Sequence, residues 1–320
     1  MKHLERALDG QNQFWKYLVN FLVSFFGGGI VGSIPLIIVI AIKTIKYGNV
    51  EGLSSGNIAD MSAYGISQNV SLILLMLPMV VSLLACIALL RPFHKRSFSE
   101  VVNGTGQIRW NRFFVGFGIW FVLYALYLLA SYIIDPQNFV FQFEIGSFIP
   151  LFLISILIIP FQTTFEELMF RGYLGQAIGA WTRNRWLVMI IPAILFGLMH
   201  SANPEIKEYG FWITMPQYVI FGLIFGLTTL LDDGIEVSMG IHAANNIFAA
   251  LFITNKASVL QTPAVFNQQK VDPVLETAIL ILMGIVLVFI LAKKYNWNFK
   301  ILNSKIEKEI IPQDDSLQSI

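Results

Sequence analysis

The chain is short of charge and nearly without cysteine. Of its 320 residues only 13% are Asp, Glu, Lys or Arg, against about a quarter in soluble domains, which excludes an ordinary water-facing surface. The single cysteine, Cys86, excludes an internal disulfide and a thiolate metal cluster. No His-Glu-x-x-His stretch is present, so the helix that carries both histidines of many zinc peptidases is missing. There is no internal repeat and no pair of interrupted hydrophobic segments of the kind transporters use. No secretory cleavage signal precedes the first apolar run. The ending IPQDDSLQSI is not a Cys-a-a-X box, so the chain is not expected to be a prenylated substrate itself.

What is there is hydrocarbon. Apolar residues make up 56% of the chain, aromatics 14%, and the mean hydropathy is +0.67. The expected fold class is an all-α polytopic membrane protein with about eight transmembrane helices, at 19–42, 70–90, 113–134, 147–170, 186–203, 211–231, 237–255 and 275–292. Each run is long enough to be considered for crossing a hydrocarbon layer of about 30 Å. Gly27, Gly28, Gly29 and Gly32 in the first run read as a helix-packing face.

The basic residues set the orientation. With the N-terminus inside, 16 of the 21 Lys and Arg fall on the cytoplasmic side, and Lys43, Lys46, Lys207, Lys256 and Lys270 fall outside. Both termini are therefore expected to be cytoplasmic, with Trp15, Trp110, Trp186 and Trp297 in the interfacial belts. The basic loop from Arg91 to Arg112 reads as a topology signal and a contact for anionic headgroups. No folded basic domain accompanies it, so nucleic acid is not an expected partner. The net charge of +1 adds nothing about partners.

Polar residues inside such segments need a reason, because an ionised side chain near the bilayer centre costs about 2.5–3.5 kcal/mol on insertion scales. The stretch Pro160 to Ala180, PFQTTFEELMFRGYLGQAIGA, holds Glu166, Glu167 and Arg171. Glu167 lies four residues before Arg171, the favourable spacing for an ion pair, and adjacent helix positions point about 100° apart, leaving Glu166 with no expected partner in its own helix. His200 ends the fifth run. In the seventh, His242 and Asn246 share a face at i,i+4, while Asn245 is expected to point elsewhere. A carboxylate can deprotonate water, an imidazole can orient that water or protonate a leaving amine, and a His–Asn pair can donate to an oxyanion. Each residue alone also fits a structural role, as an ion pair or a helix–helix hydrogen bond.

These blocks resemble the signature of the CAAX-processing and bacteriocin-processing intramembrane proteases: Glu-Glu-x-x-x-Arg at Glu166, Glu167 and Arg171, Phe-x-x-x-His at Phe196 and His200, and His-x-x-x-Asn at His242 and Asn246. The matching region spans roughly 147–255, with a catalytic core built from helices four to seven. The resemblance implies an intramembrane endopeptidase in which Glu166 with His200 activates water, His242 with Asn246 forms the oxyanion pocket, and Glu167 and Arg171 hold the geometry. It also carries a metallopeptidase reading with Glu166, His200 and His242 as zinc ligands. The metal-free route is favoured here, with no cofactor.

The implied domain plan is a cytoplasmic amphipathic N-terminus over 1–18, accessory helices over 19–146, the protease core over 147–255, an outer loop and last helix over 256–295, and a cytoplasmic tail over 296–320, of which Ile301 to Ile320, polar and mixed in charge, reads as a short disordered extension. Competing readings are a non-catalytic scaffold on the same fold, regulating cell-envelope processes, and a proton-coupled transporter. The expected setting is a prokaryotic plasma membrane, and the expected partners are the bilayer and a peptide or protein substrate, such as a secreted peptide, a pheromone leader or a bacteriocin. One difficulty stands against convergence. Counted from inner boundaries near Trp186 and Val237 at 1.5 Å per residue, His200 lies about 21 Å deep and His242 about 8 Å. Tilt, a sunken loop at Trp181 to Arg185, or a helix broken near Pro204 could reconcile them.

Overall fold

Every one of the eight apolar runs becomes a helix, since in hydrocarbon a segment must satisfy its own backbone N–H and C=O groups. A computed structural model describes residues 2–47 and 61–308. The first run is α1 (Phe14–Leu22) and α2 (Gly28–Tyr47), joined by a π-helical turn at Val23–Gly27. There follow α3 (Gln68–His94), the short α4 (Phe98–Asn103), α5 (Trp110–Ile134) and α6 (Ile145–Glu167). A second π turn, Leu168–Leu174, carries α6 into α7 (Gly175–Thr182). The remaining helices are α8 (Arg185–Met199), the short α9 (Pro204–Tyr209), α10 (Phe211–Asp232), α11 (Glu236–Phe252) and α12 (Pro273–Tyr295).

Six helical stretches among the described residues are long and apolar enough to cross a membrane: Phe14–Lys46, Gln68–His94, Trp110–Ile134, Ile145–Thr182, Phe211–Asp232 and Pro273–Tyr295. The chain is an all-α integral membrane protein. The fifth and seventh expected spans are shorter than a bilayer: α8 has 15 residues and α11 has 17, about 22 and 26 Å against about 30 Å. Protein rather than lipid surrounds much of α11, which is buried along most of its length and packs on α5, α6 and α10.

Two glycines set how close α11 comes to α5. A Cβ on Gly240 would collide with the Phe113 carbonyl, and one on Gly116 would stand 2.7 Å from the Val237 carbonyl. The opposing partner is backbone in both cases, so it has little freedom to give way. Gly240→Ala is expected to destabilise the protein by about 1–3 kcal/mol, the range for overpacking, measured as a lowered midpoint of thermal unfolding in detergent. In the first run, Gly28 and Gly32 do form a packing face, against Ser82 and Pro78 of α3, whereas Gly29 faces open space.

At the basic end of the bundle the N-terminal segment is not a loose amphipathic arm. Leu4 and Ala7 are buried in the core, and the backbone N–H groups of Lys2 and His3 donate to the Asp233 carboxylate at 2.8 and 3.0 Å. Next to it, Arg109 holds Glu236 (2.6 Å) and the Asp232 carbonyl (2.8 Å), and Arg112 holds the Asp232 carboxylate (2.9 Å). This network fixes the start of α11. Trp297, expected in the interfacial belt, donates its indole N–H to Asp232 at 3.1 Å. The tail also departs from expectation. Residues up to 308 fold back, with Ile306 buried and its N–H bonded to the Arg183 carbonyl at 3.2 Å; the expected disorder from 309 onward lies outside the described residues.

At the opposite end lies a small sheet that the helical reading did not anticipate, in the order β1 (Phe139–Phe141), β3 (Phe266–Gln268), β2 (Ile253–Thr254). β1 is antiparallel to β3 and β2 is parallel to it, so the loop after α11 is tied to the α5–α6 connection.

Candidate active site

The site is assembled from α6, its π turn, α8, α10 and α11. Glu167 and Arg171 form the expected ion pair at 3.0 Å, and both side chains are almost wholly buried, at 0% and 1% exposure. Arg171 also donates to the Gly222 carbonyl at 3.3 Å, and its guanidinium sits 4.4 Å from the Phe196 ring centre and 5.0 Å from that of Phe225. A guanidinium held between aromatic faces and a carboxylate is a stable buried cation. The π turn itself is steadied from outside the membrane core, where the His3 ring nitrogen Nε2 approaches the Arg171 carbonyl at 3.4 Å.

His242 stands between the two glutamates. Its Nδ1 lies 2.8 Å from Glu167 Oε1 and its Nε2 lies 3.5 Å from Glu166 Oε2, while its ring stacks on Phe225 at 4.9 Å. With Arg171 already on Glu167, the imidazole N–H is the natural second donor to that carboxylate, which orients the ring and turns Nε2 toward Glu166. Glu166 Oε2 is buried and has no hydrogen-bond partner among the described residues.

Glu166 does have a partner in its own helix, contrary to the sequence reading. Gln162, one turn earlier, donates from Nε2 to Glu166 Oε1 at 2.6 Å and accepts from Asn246 Nδ2 at 3.0 Å. Asn246 is thus joined to Glu166 through Gln162. Nor does Asn245 point away from the site: its Nδ2 donates to Asn246 Oδ1 at 3.1 Å, and its Oδ1 accepts from Trp120 at 3.2 Å. The i,i+4 spacing of Gln162 and Glu166 was a signal for the first of these contacts. Nothing in the sequence pointed to Trp120, which comes from a distant helix.

His200 is in the same neighbourhood but is held differently. The Phe196 ring touches both histidines, 4.6 Å from the His200 ring and 5.9 Å from that of His242. Its Nδ1 is 2.7 Å from the Phe196 carbonyl, which can only accept, so Nδ1 carries the proton and Nε2 is left as an acceptor. The ring stacks on Tyr218 at 4.4 Å. Tyr218 accepts from Asn203 at 2.9 Å. Neither Tyr218 nor Asn203 was singled out from the sequence.

Glu205 lies outside the spans, and burial raises its carboxyl above the usual range. A carboxyl whose folded value is raised holds its proton more tightly folded than unfolded. It therefore favours the folded state below the unfolded value, and that contribution is lost as pH rises through the folded one. Amide exchange across 204–214 is expected to quicken more between about pH 5 and pH 8 in the wild type than in Glu205→Gln, after correction for intrinsic exchange.

The depth difficulty resolves in the length of α7. From Glu167 the chain runs 15 residues down to Thr182, turns at Arg183, and climbs 15 residues from Arg185 to His200. Each leg is about 22 Å, so His200 returns to the level of Glu167. The turn is tight because Arg183 adopts a left-handed conformation, φ 57°, and Asn184 caps α8 through the N–H groups of Trp186 and Leu187. α11 starts higher, so Trp186 and Val237 do not mark one boundary; counting depth from both was the error.

Of the three side chains that would serve as zinc ligands, Glu166 and His242 are neighbours, and the His200 ring stacks on Tyr218. Among the described residues, no group of three or more His, Cys, Asp or Glu side chains is placed to hold a metal ion. No step below is routed through a metal.

A family model described as type II CAAX prenyl endopeptidase Rce1-like matches residues 145–248, which contain all of these motifs. The chain is 32% identical over 291 residues to the uncharacterized protein YyaK of Bacillus subtilis (strain 168), covering 89% of this chain and 94% of that one. It is also 26% identical over 140 residues to the UPF0177 protein YbdI of Lactococcus lactis subsp. lactis (strain IL1403), covering 43% of this chain and 71% of the relative. No solved structure matches.

Proposed function

The chain belongs to the type II CAAX prenyl endopeptidase Rce1-like family, a protease family, and from that premise we propose that it is an intramembrane endopeptidase using Glu166 as the base that activates water. The observation that carries this reading is the state of Glu166: one carboxylate oxygen held by Gln162, the other buried, unpartnered and 3.5 Å from His242 Nε2.

In this mechanism Glu166 Oε2 takes a proton from a water molecule whose second hydrogen is accepted by His200 Nε2. The water oxygen bonds to the scissile carbonyl carbon, and the developing oxyanion accepts from Asn246 Nδ2 and from His242 Nε2–H. When the tetrahedral intermediate collapses, the C–N bond breaks and the proton on Glu166 passes to the leaving amine nitrogen. Glu167 and Arg171 touch no reacting atom; they hold His242.

The proposed setting is a bacterial plasma membrane with the basic end cytoplasmic. The bias of Lys and Arg supports that orientation, and the bacterial source of both relatives supports the setting. The substrate class proposed is a membrane-associated or secreted peptide rather than a prenylated protein. The test is to incubate the purified protein in nanodiscs with a library of membrane-associated and leader peptides, with and without chelator. Chelator-insensitive hydrolysis is expected; full loss with chelator, restored by zinc, would replace the metal-free route.

A further inference from the structure

Five side chains from three helices form one hydrogen-bonded line: Trp120 Nε1 to Asn245 Oδ1 (3.2 Å), Asn245 Nδ2 to Asn246 Oδ1 (3.1 Å), Asn246 Nδ2 to Gln162 Oε1 (3.0 Å) and Gln162 Nε2 to Glu166 Oε1 (2.6 Å). The two ends of this line have only one role each. An indole N–H can only donate, and an ionised carboxylate can only accept. Three carboxamides lie between them, and a free carboxamide can turn its oxygen and nitrogen around. Here none of them can, because turning any one would set two donors or two acceptors face to face in a partly buried site, at the cost of leaving those groups unpaired.

We propose that Trp120, Asn245 and Gln162 are positioning residues whose line of hydrogen bonds dictates which way the Asn246 amide faces and holds Glu166 in place. The consequence deepens the reading of Asn246 as an oxyanion donor, and it rests on that reading for its catalytic part. Asn246 Nδ2 carries two hydrogens. One is directed to Gln162, and the second is left over as a donor. With the amide reversed, its oxygen would take the place of that donor and repel an oxyanion. Trp120, buried at 1% exposure on α5 and belonging to none of the motifs, is the residue that sets the sense of the whole line.

The line can be read without a substrate. Among the seven tryptophans, the Trp120 indole signal is assigned in protein labelled with [15N-indole]tryptophan as the cross-peak lost in Trp120→Phe. Glu166→Gln replaces the acceptor-only end with a group that can also donate, and it is expected to shift the Trp120 indole signal four hydrogen bonds away. In Gln162→Leu, which interrupts the line, that response should vanish while the other six signals keep their positions. If Gln162→Leu does not fold, Gln162→Asn, one methylene too short to bridge, makes the same comparison. An indole signal unmoved by Glu166→Gln, or a response that persists when Gln162 is replaced, overturns the proposal.

The kinetic arm uses whichever peptide the library yields. Trp120→Phe is expected to lower kcat about tenfold with KM unchanged, because the donor is misaligned rather than removed. A wild type that cleaves nothing would remove the endopeptidase reading and leave the indole result standing, so the two failures are distinguishable.

Discussion

Glu166→Gln is expected to lower the rate of peptide hydrolysis by about 10²–10⁴-fold, the range for loss of a general base, while leaving the protein folded. The substitution keeps the size of the side chain and an oxygen for Gln162 Nε2 to donate to, so the 2.6 Å contact has a successor. It removes the one oxygen able to accept a proton from water beside His242. Glu167 cannot take over, since its Oε1 is held by both Arg171 and His242. Initial rates on a cleaved peptide, with thermal unfolding of the same preparation, check this. Hydrolysis at the wild-type rate by folded Glu166→Gln would end the proposed mechanism.

Arg171→Met is expected to produce the largest loss of stability, about 3–5 kcal/mol, because it removes the cation paired with the Glu167 carboxylate in a site with 0% exposure and leaves it the His242 N–H alone. The attraction within a buried pair is offset by the cost of removing both charges from water, so deleting one partner is far worse than deleting both. The double replacement Glu167→Gln with Arg171→Met should therefore recover much of the stability that Arg171→Met loses, though not activity, since His242 would lose its charged anchor. Unfolding midpoints of the two single variants and the double variant form the cycle that measures this. Additive losses would show that the two side chains do not act as a pair.

The polar residues that matter were legible because hydrocarbon makes every polar residue conspicuous. Glu166, Glu167, Arg171, His242 and Asn246 stand out against apolar neighbours, and helical spacing alone paired Glu167 with Arg171. The same spacing joins Gln162 to Glu166 four residues on, but a neutral amide in a helix carries no insertion cost comparable to a charge and so stands out less. Trp120 and Tyr218 were not legible. An aromatic residue in a membrane helix resembles its dozens of aromatic neighbours until its one polar atom or its stacking partner is known.

The N-terminus and the tail show the opposite limit. The N-terminus reads as an amphipathic cytoplasmic segment and the tail as a disordered extension, yet Leu4, Ala7, Leu302 and Ile306 are buried. A short segment with two or three apolar side chains cannot bury them on itself. Whether it docks depends on a groove that the rest of the fold must first supply.

Hydropathy and spacing by themselves determined that the chain enters a membrane as helices and which polar groups it carries there, because backbone satisfaction and burial cost are local, one-dimensional constraints. Only the tertiary structure decided that His200 climbs back to the level of Glu167, that two core helices are shorter than the bilayer, and that a buried tryptophan sets the sense of an asparagine amide. Depth, stacking and hydrogen-bond direction belong to pairs of helices, and no single stretch of sequence contains both members of the pair.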